Sequence, residues 1–584
     1  MKIKRLGFWL LLICGIWLGW ATTLTAQAST QRVLIVYDAI NPTVNGQKKL
    51  DGLQRLFTSI GLKAQTERLS DYYAGQLTTK KYQGVVTLVN WPQGHLTNAA
   101  FVKDRQAFTG TQLHVGQSLS QTEADALHSK RHQLYHQQFS LYDGTQHQLL
   151  PFSDDITILT ATGSGVQTVG QLTTQAPVQH KYAYGTIRGQ YGYLPNFSAS
   201  GFSFVVASRM VAQLFHQTTS NRPLLTITGV TPYTDLKQLT RVSHALKRAN
   251  IPFAVSTTST AENTTMHAFQ TFTASLRQVE LDGGVVFLQA PYVGTANAQS
   301  GNTLDQTMVA QLNQLGQRQV FPVGISASNF WNQDEILRRY GLQHANHVIL
   351  LPDPTTTTFA KQDNLGTTFT SAHYGLSLAS LQSVKNGQEV TQADLRFAMP
   401  TAITVALPDS SKGVTAMLKR ITNTSLTWEN PATSWQTQID SASASFQYRL
   451  GQYYLNGRQV TVKTKASGVP RYQPKVKTKV LLSRFFQLQG WVLFGFFTVT
   501  TIVLVIFLVL GRTSLSTNVY AKVGGFYELV RCLSFYRHLG DLGNSSRQSY
   551  FDDGGLLALF KISADANATV ASSGTIRVHH GPRA

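Results

Sequence analysis

The stretch Pro223–Gly294 constrains the fold more than any other part of the 584-residue chain. It opens with the apolar run Pro223-Leu-Leu-Thr-Ile-Thr-Gly-Val230, which reads as a buried strand ending in a turn. Leu236, Leu239, Val242 and Leu246 then recur at helical spacing and predict an amphipathic helix. A second apolar run, Ile251 to Val255, precedes a helical segment carrying Phe269, Phe272 and Leu276. A third strand, Gly283-Gly-Val-Val-Phe-Leu-Gln-Ala-Pro-Tyr-Val-Gly294, closes the unit. This alternation is the pattern of consecutive βα units around a parallel sheet, and such folds place their sites at the carboxyl ends of the strands. Here those ends are Thr228-Gly229 and Gln289 to Val293.

The rhythm continues downstream. Leu304, Met308, Leu312 and Leu315 line a further helix, and Val320–Ile325, His347–Pro352 and Ala402–Leu407 supply more strands, so the βα units are expected to run over residues 222–410. Upstream, Arg32–Tyr37 and Tyr82–Trp91 read as buried parallel strands, and Leu50, Leu53, Phe57 and Ile60 mark one face of the helix after the first. Residues 31–215 therefore predict an open α/β sheet of flavodoxin or amidotransferase type. Its β-rich extension, Val166–Phe204, places Tyr182, Tyr184, Tyr191 and Tyr193 in near alternation, as half-buried strands or as an aromatic platform for sugars. The region has no Gly-x-Gly-x-x-Gly or Walker loop, so a nucleotide is not indicated, and no cysteine, which excludes amidotransferase chemistry. His128, His132 and His136 would share a face on a helix and, with Asp125, form a metal clip; a solvated helix face is the expectation.

The central stretch resembles the polysaccharide-deacetylase-like family, in its branch with an extra amino-terminal α/β domain. In that family the first strand ends in Asp-Asp and a later one in His-x-x-x-His. One Asp serves as general base, while the other Asp and both His hold a divalent metal that activates water. The frames Leu225–Pro232 and Gly283–Gly294 match. Thr228 and Gly229, however, stand where the Asp pair would be, and Gln289 and Val293 where the His pair would be; none is a good zinc ligand. Ser326–Phe330 likewise lacks the family's Pro-His-Tyr-like element, and His373 stands alone as a lone, structural histidine. Over Pro223–Asp409 the resemblance thus implies a deacetylase-type barrel without its machinery: no catalytic residue, no metal ligand and no cofactor. What remains as a candidate binding rim is Thr228, Gly229, Gln289 and Tyr292, whose hydroxyl, amide and ring suit a sugar.

The flanks set the compartment. Residues 1–28 have a basic start (Lys2, Lys4, Arg5), an apolar middle and Ala26-Gln27-Ala28, the parts of a secretory signal. Residues 411–465 read as a helix plus a small β module, which either packs on the barrel or forms a stalk, with Asn456-Gly457 as a hairpin turn. Residues 466–484 read as a basic linker, and the uncharged run Trp491–Leu510 places a transmembrane helix at 485–511. The region before it is expected outside the cell, and the tail 512–584 in the cytoplasm. The two cysteines, Cys14 and Cys532, leave the region between them without a disulfide. The net charge of +21 comes from scattered residues and from no nucleic-acid motif. It suits anionic wall polymers, lipid head groups or acidic glycans if the region lies outside the cell, and equally a surface that Lys and Arg merely keep soluble. The expectation is a single-pass membrane protein that binds or organises cell-surface polysaccharide, alone or beside its synthesis machinery. An active glycan deacetylase or hydrolase using other ligands, and a surface adhesion or sensing protein, are the alternatives.

Overall fold

The computed structural model describes residues 31–514 except 42, 44, 92–94, 175–178, 292–298, 355–364, 383–392 and 465–480, with the backbone alone at 481–488 and 509–514. The signal segment, Tyr292, Val293 and the tail beyond Ser514 therefore lie outside the described residues.

The apolar runs near the amino terminus form parallel strands β1 (Arg32–Tyr37), β2 (Lys63–Arg68), β3 (Gly84–Val89) and β4 (Thr111–Gly116). The connection from β4 leads into an antiparallel ribbon, β5 (Ser129–Gln137) with β8 (Ser153–Ala161), and into β6 (Phe139–Asp143) and β7 (Gln146–Leu149). Strands β9 (Gln167–Thr174), β10 (Lys181–Arg188) and β11 (Tyr191–Leu194) complete one open nine-stranded sheet, ordered β2-β1-β3-β4-β11-β10-β9-β6-β7. The sheet is mixed: parallel from β2 through β11, then antiparallel. Two expectations need correction. The histidine segment is strand β5, where a spacing of four residues separates His132 from His136 by about 13 Å; no helical face gathers them. The β-rich extension stops before Phe204, which lies in a helix, α2 (Gly201–Leu214).

The central stretch closes as expected into a barrel of seven parallel strands: β12 (Leu224–Val230), β13 (Ala254–Thr258), β14 (Val285–Gln289), β15 (Gly324–Ser328), β16 (His347–Leu351), β17 (Ser371–Ser377) and β18 (Thr401–Ala406), with β18 pairing back to β12. Helices Leu236–Arg248, His267–Leu281 and Ser300–Gln317 cover the first three crossovers, each turning its apolar stripe to the strands. Among the described residues no helix lies between β16 and β17.

A helix of the amino-terminal sheet takes that place. Helix α1 (Gly46–Ser59) sets Leu53, Leu56 and Phe57 against its own sheet. Its polar residues Asp51, Gln54, Arg55 and Thr58, spaced i, i+3, i+4 and i+7, are also buried, and they bond to the barrel. Arg55 Nη1 donates to Gly375 O at 2.9 Å, Asn329 Nδ2 to Gln54 Oε1 at 2.9 Å, and Asn332 Nδ2 to Thr58 Oγ1 at 3.2 Å. Phe204 of α2 stacks on Tyr374 of β17 with centroids 4.2 Å apart. One apolar core consequently runs from the inner face of the sheet through α1 and α2 into the barrel.

The small β module packs on the barrel; it is no stalk. Strands β19 (Gln436–Asp440), β20 (Ser445–Arg449), β21 (Gln452–Leu455) and β22 (Arg458–Val460) form an antiparallel sheet, with the expected Asn456-Gly457 turn at positive φ between the last two. Trp435, just before β19, closes the amino-terminal end of the barrel. It meets Phe287 at 6.0 Å and His373 at 5.2 Å between ring centroids, and its Nε1 donates to Glu429 Oε1 at 2.7 Å.

The chain divides between residues 475 and 476 into two units. Among the described residues the second contains one helix, Leu481–Ser514, which starts inside the expected linker and outlasts the expected span. Its segment Gln489–Leu508 is long and apolar enough to cross a membrane, with no side chain buried by protein. Twenty residues rise about 30 Å, the thickness of a hydrocarbon core. Thr498, Thr500 and Thr501 donate their hydroxyls to the carbonyls four residues back, each at 2.8 Å, which is how such groups are satisfied in lipid.

Candidate functional site

The carboxyl ends of the barrel strands form a mouth, and there the expected residues sit. Thr228 and Gly229 end β12, and Gln289 ends β14; Tyr292 falls outside the described residues. Pairing of Thr226 with Ala254, in phase with the inward Ser256, turns Thr226 and Thr228 toward the barrel axis. A bulge follows, because the two residues Thr228 and Gly229, between Ile227 and Val230, face only Ser256 on β13. Gly229 carries the bulge at φ +76, a conformation other L-residues adopt only with strain. An aspartate at 229 would bear a strain of about 1–2 kcal/mol in this backbone, which the glycine avoids.

Beneath the rim lies a layer of hydroxyls. Ser256 and Ser326 are fully buried, with their Oγ atoms 2.7 Å apart. Ser256 also reaches Gln289, donating to its Oε1 at 3.4 Å. Two hydroxyls and one amide, on three successive strands, make a polar floor that carries no charge. Above it the loop after β12 holds Tyr233, which is 85% exposed. That loop is fixed locally: Tyr233 N donates to Thr231 Oγ1 and Thr231 N to Thr234 Oγ1. The ring thus presents its apolar faces to water on an ordered loop. The sequence offered a cue for Tyr233, its position five residues past Thr228 on the same rim.

A second feature faces the same end of the barrel. Asp353, two residues past β16, meets Asp51 of α1 beside Arg55, and these line a pocket of about 320 Å³ with Lys48 at its edge. Arg55 is 1% exposed; its Nε and Nη2 both donate to Asp51 Oδ2, at 3.0 and 2.9 Å, and its guanidinium lies 4.0 Å over the Tyr374 ring. Asp353 Oδ1 accepts from Phe330 N at 2.8 Å. Burial, then the Asp51 carboxylate, push the Asp353 carboxyl well up; burial also raises Asp51, against the pull of Arg55. Asn329 and the Asp353 backbone N–H also donate to the Asp51 carboxyl, and a proton shared between the two acids fits the upward shift of both. Carboxyls in hydrogen-bonding contact are closer than the roughly 5 Å or more that glycoside hydrolysis requires. The pair acts as a fastener between sheet and barrel.

His373 lies at the other end of the barrel, buried beneath Trp435, its Nε2 3.2 Å from Glu429 Oε2. Burial, then His373, lower the neighbouring His347 to about 4, so it stays neutral. Among the described residues no group of three His, Cys, Asp or Glu side chains is placed to hold a metal ion. No family model matches the chain, and neither does any curated protein.

Proposed function

We propose that this is a membrane-anchored, extracytoplasmic protein that binds or organises cell-surface polysaccharide through a barrel of polysaccharide-deacetylase type lacking the family's metal site. The observation that carries this reading is the mouth itself: Thr228, Gly229 and Gln289 over the Ser256–Ser326 hydroxyl pair, with Tyr233 exposed at the rim. Uncharged donors and acceptors beside an aromatic ring match the hydroxyls and the C–H face of a sugar. A layer of serines where a filled barrel would hold branched apolar side chains also leaves room for a ligand.

Titration of the full-length protein in detergent with acetylated and unacetylated oligosaccharides tests the reading. Gln289→Ala and Tyr233→Ala are each expected to weaken binding roughly three- to tenfold, the scale of one hydrogen bond or one ring contact. Unchanged affinity in both variants would remove the mouth as the site. Acetate release together with stoichiometric metal would instead favour an active deacetylase.

The sidedness follows from the secretory signal ahead of the helix Leu481–Ser514. Protease added to intact cells is expected to digest the region 31–479 and spare the tail. Protection of that region until the cells are lysed would reverse the topology.

A further inference from the structure

The amino-terminal sheet carries a groove of its own, about 920 Å³, between the β5–β8 ribbon and the helix Ala99–Ala107. We propose that this groove binds a neutral oligosaccharide, at a site separate from the barrel mouth. Its volume is in the upper range of small-ligand sites and accommodates two or three sugar rings.

The chemistry of the walls selects the ligand. Four amide side chains, Gln106, Gln112, Gln117 and Gln133, face a space that also holds the rings of Tyr135 and Tyr191. Each amide offers two N–H donors and two acceptor lone pairs, the complement of neighbouring sugar hydroxyls, each of which both donates and accepts. Tyr135 is 59% exposed on β5, on the same outward face as the exposed Arg131 and Gln133. A ring held out over an amide-lined groove covers the apolar face of a sugar.

The groove is assembled before any ligand arrives. Thr157 Oγ1 donates to Gln133 Oε1 at 2.6 Å, and the Gln133 amide donates to the Asp155 carboxylate. Gln117 Nε2 donates to Asp155 O and Arg131 Nη1 to Leu119 O, each at 2.6 Å. Glu123 is held by Arg105 and by His114, at 2.7 Å each. These bonds fix Gln117 and Gln133 with donor and acceptor capacity to spare, which lowers the ordering cost of binding. The charges also balance in number, two of each sign among the Arg, Asp and Glu side chains of the lining. Arg105 and Arg131 stand against Glu123 and Asp155, so the space has no surplus for a nucleotide or a polyanion.

Calorimetric titration of the full-length protein in detergent with three uncharged pentasaccharides, of glucose linked β-1,4, glucose linked α-1,4 and N-acetylglucosamine linked β-1,4, is the test. An oligogalacturonate serves as the acidic control. At least one uncharged probe is expected to bind. Tyr135→Ala is expected to weaken it about tenfold, and Tyr135→Phe to keep the wild-type affinity, because the ring and not the hydroxyl makes the contact. Since Tyr135 is exposed, both variants are expected to melt with the wild type. The double variant Tyr233→Ala with Gln289→Ala separates this site from the barrel mouth: binding here survives it. No binding by any uncharged probe, binding of the acidic control alone, or affinity untouched by Tyr135→Ala each overturns the proposal, and loss of all binding in the double variant alone assigns it to the mouth instead.

Discussion

Replacing Arg55 with alanine is expected to destabilise the protein by about 3–5 kcal/mol, the cost of leaving a buried carboxylate without its partner. The guanidinium is buried between the two halves of the first unit, bonded to Asp51 on its own helix and to Gly375 O on β17, and stacked over Tyr374. Its removal leaves Asp51 and Asp353 facing one another with no cation between them. The barrel flank at β16–β17 then loses its grip on α1, so the sheet and the barrel are expected to unfold in separate transitions rather than one. Denaturant unfolding followed by tryptophan fluorescence and by far-UV circular dichroism checks this, because divergence of the two curves reports the uncoupling. The paired change Asp51→Leu with Arg55→Met is expected to recover most of the loss, since apolar groups of similar volume need no partner. A loss below about 1 kcal/mol for the single alanine variant would show that the fastener is elsewhere.

The second large effect is a dependence on pH centred on Glu280, in the last turn of helix His267–Leu281. Its Oε1 accepts from Phe321 N at 2.7 Å, and its Oε2 has no partner among the described residues. Burial, only partly opposed by the Phe321 N–H and by Arg277, pushes the carboxyl up to about 8. In the unfolded chain it ionises near 4.5. Between those two values the folded state holds a proton that the unfolded state has lost, so stability falls as pH rises, by about 1.4 kcal/mol per unit. His347, lowered to about 4, works in the opposite sense: its contribution is complete above about 6.5 and is lost as pH falls through 4. From about 4.5 to 6.5 the two slopes cancel. From about pH 6.5 to 8 the Glu280 slope is no longer opposed by His347, and the raised Asp51–Asp353 pair adds a fall of the same sign that begins near pH 4.

Wild-type stability is therefore expected to fall only by what the Asp51–Asp353 pair contributes from about pH 4.5 to 6.5, and to fall by roughly 2 kcal/mol or more from there to pH 8. In Glu280→Gln the Glu280 slope vanishes, so the variant gains on the wild type steadily from about pH 4.5 to 8. The gain reaches on the order of 5 kcal/mol, then holds constant. Urea unfolding of both proteins across this range gives the difference directly. A difference that does not change with pH would mean that Glu280 is already ionised in the folded protein.

The sequence by itself determined the elements and most of their order. Apolar runs of five or six residues, separated by helical stripes such as Leu239, Val242 and Leu246, lead to parallel strands under helices, and all of these residues are buried. The Asn456-Gly457 turn and the long apolar helix were legible for the same reason: each rests on the conformational or solvation preference of neighbouring residues, which travels with the sequence. The histidine segment was not legible, because a spacing of four fits a helix as well as one side of a strand, and only pairing with β8 chose between them. Nor was the polar face of α1. Asp51, Gln54, Arg55 and Thr58 have the spacing and polarity of a solvated stripe, yet the barrel buries them. Likewise Trp435 gives no local hint that it will seal the base of a barrel whose first strand begins more than two hundred residues earlier. Periodicity reports which side chains share a face. What that face meets is decided when distant segments come together, since a polar stripe is stable either in water or against a surface that returns every hydrogen bond and charge, and only the folded chain supplies that surface.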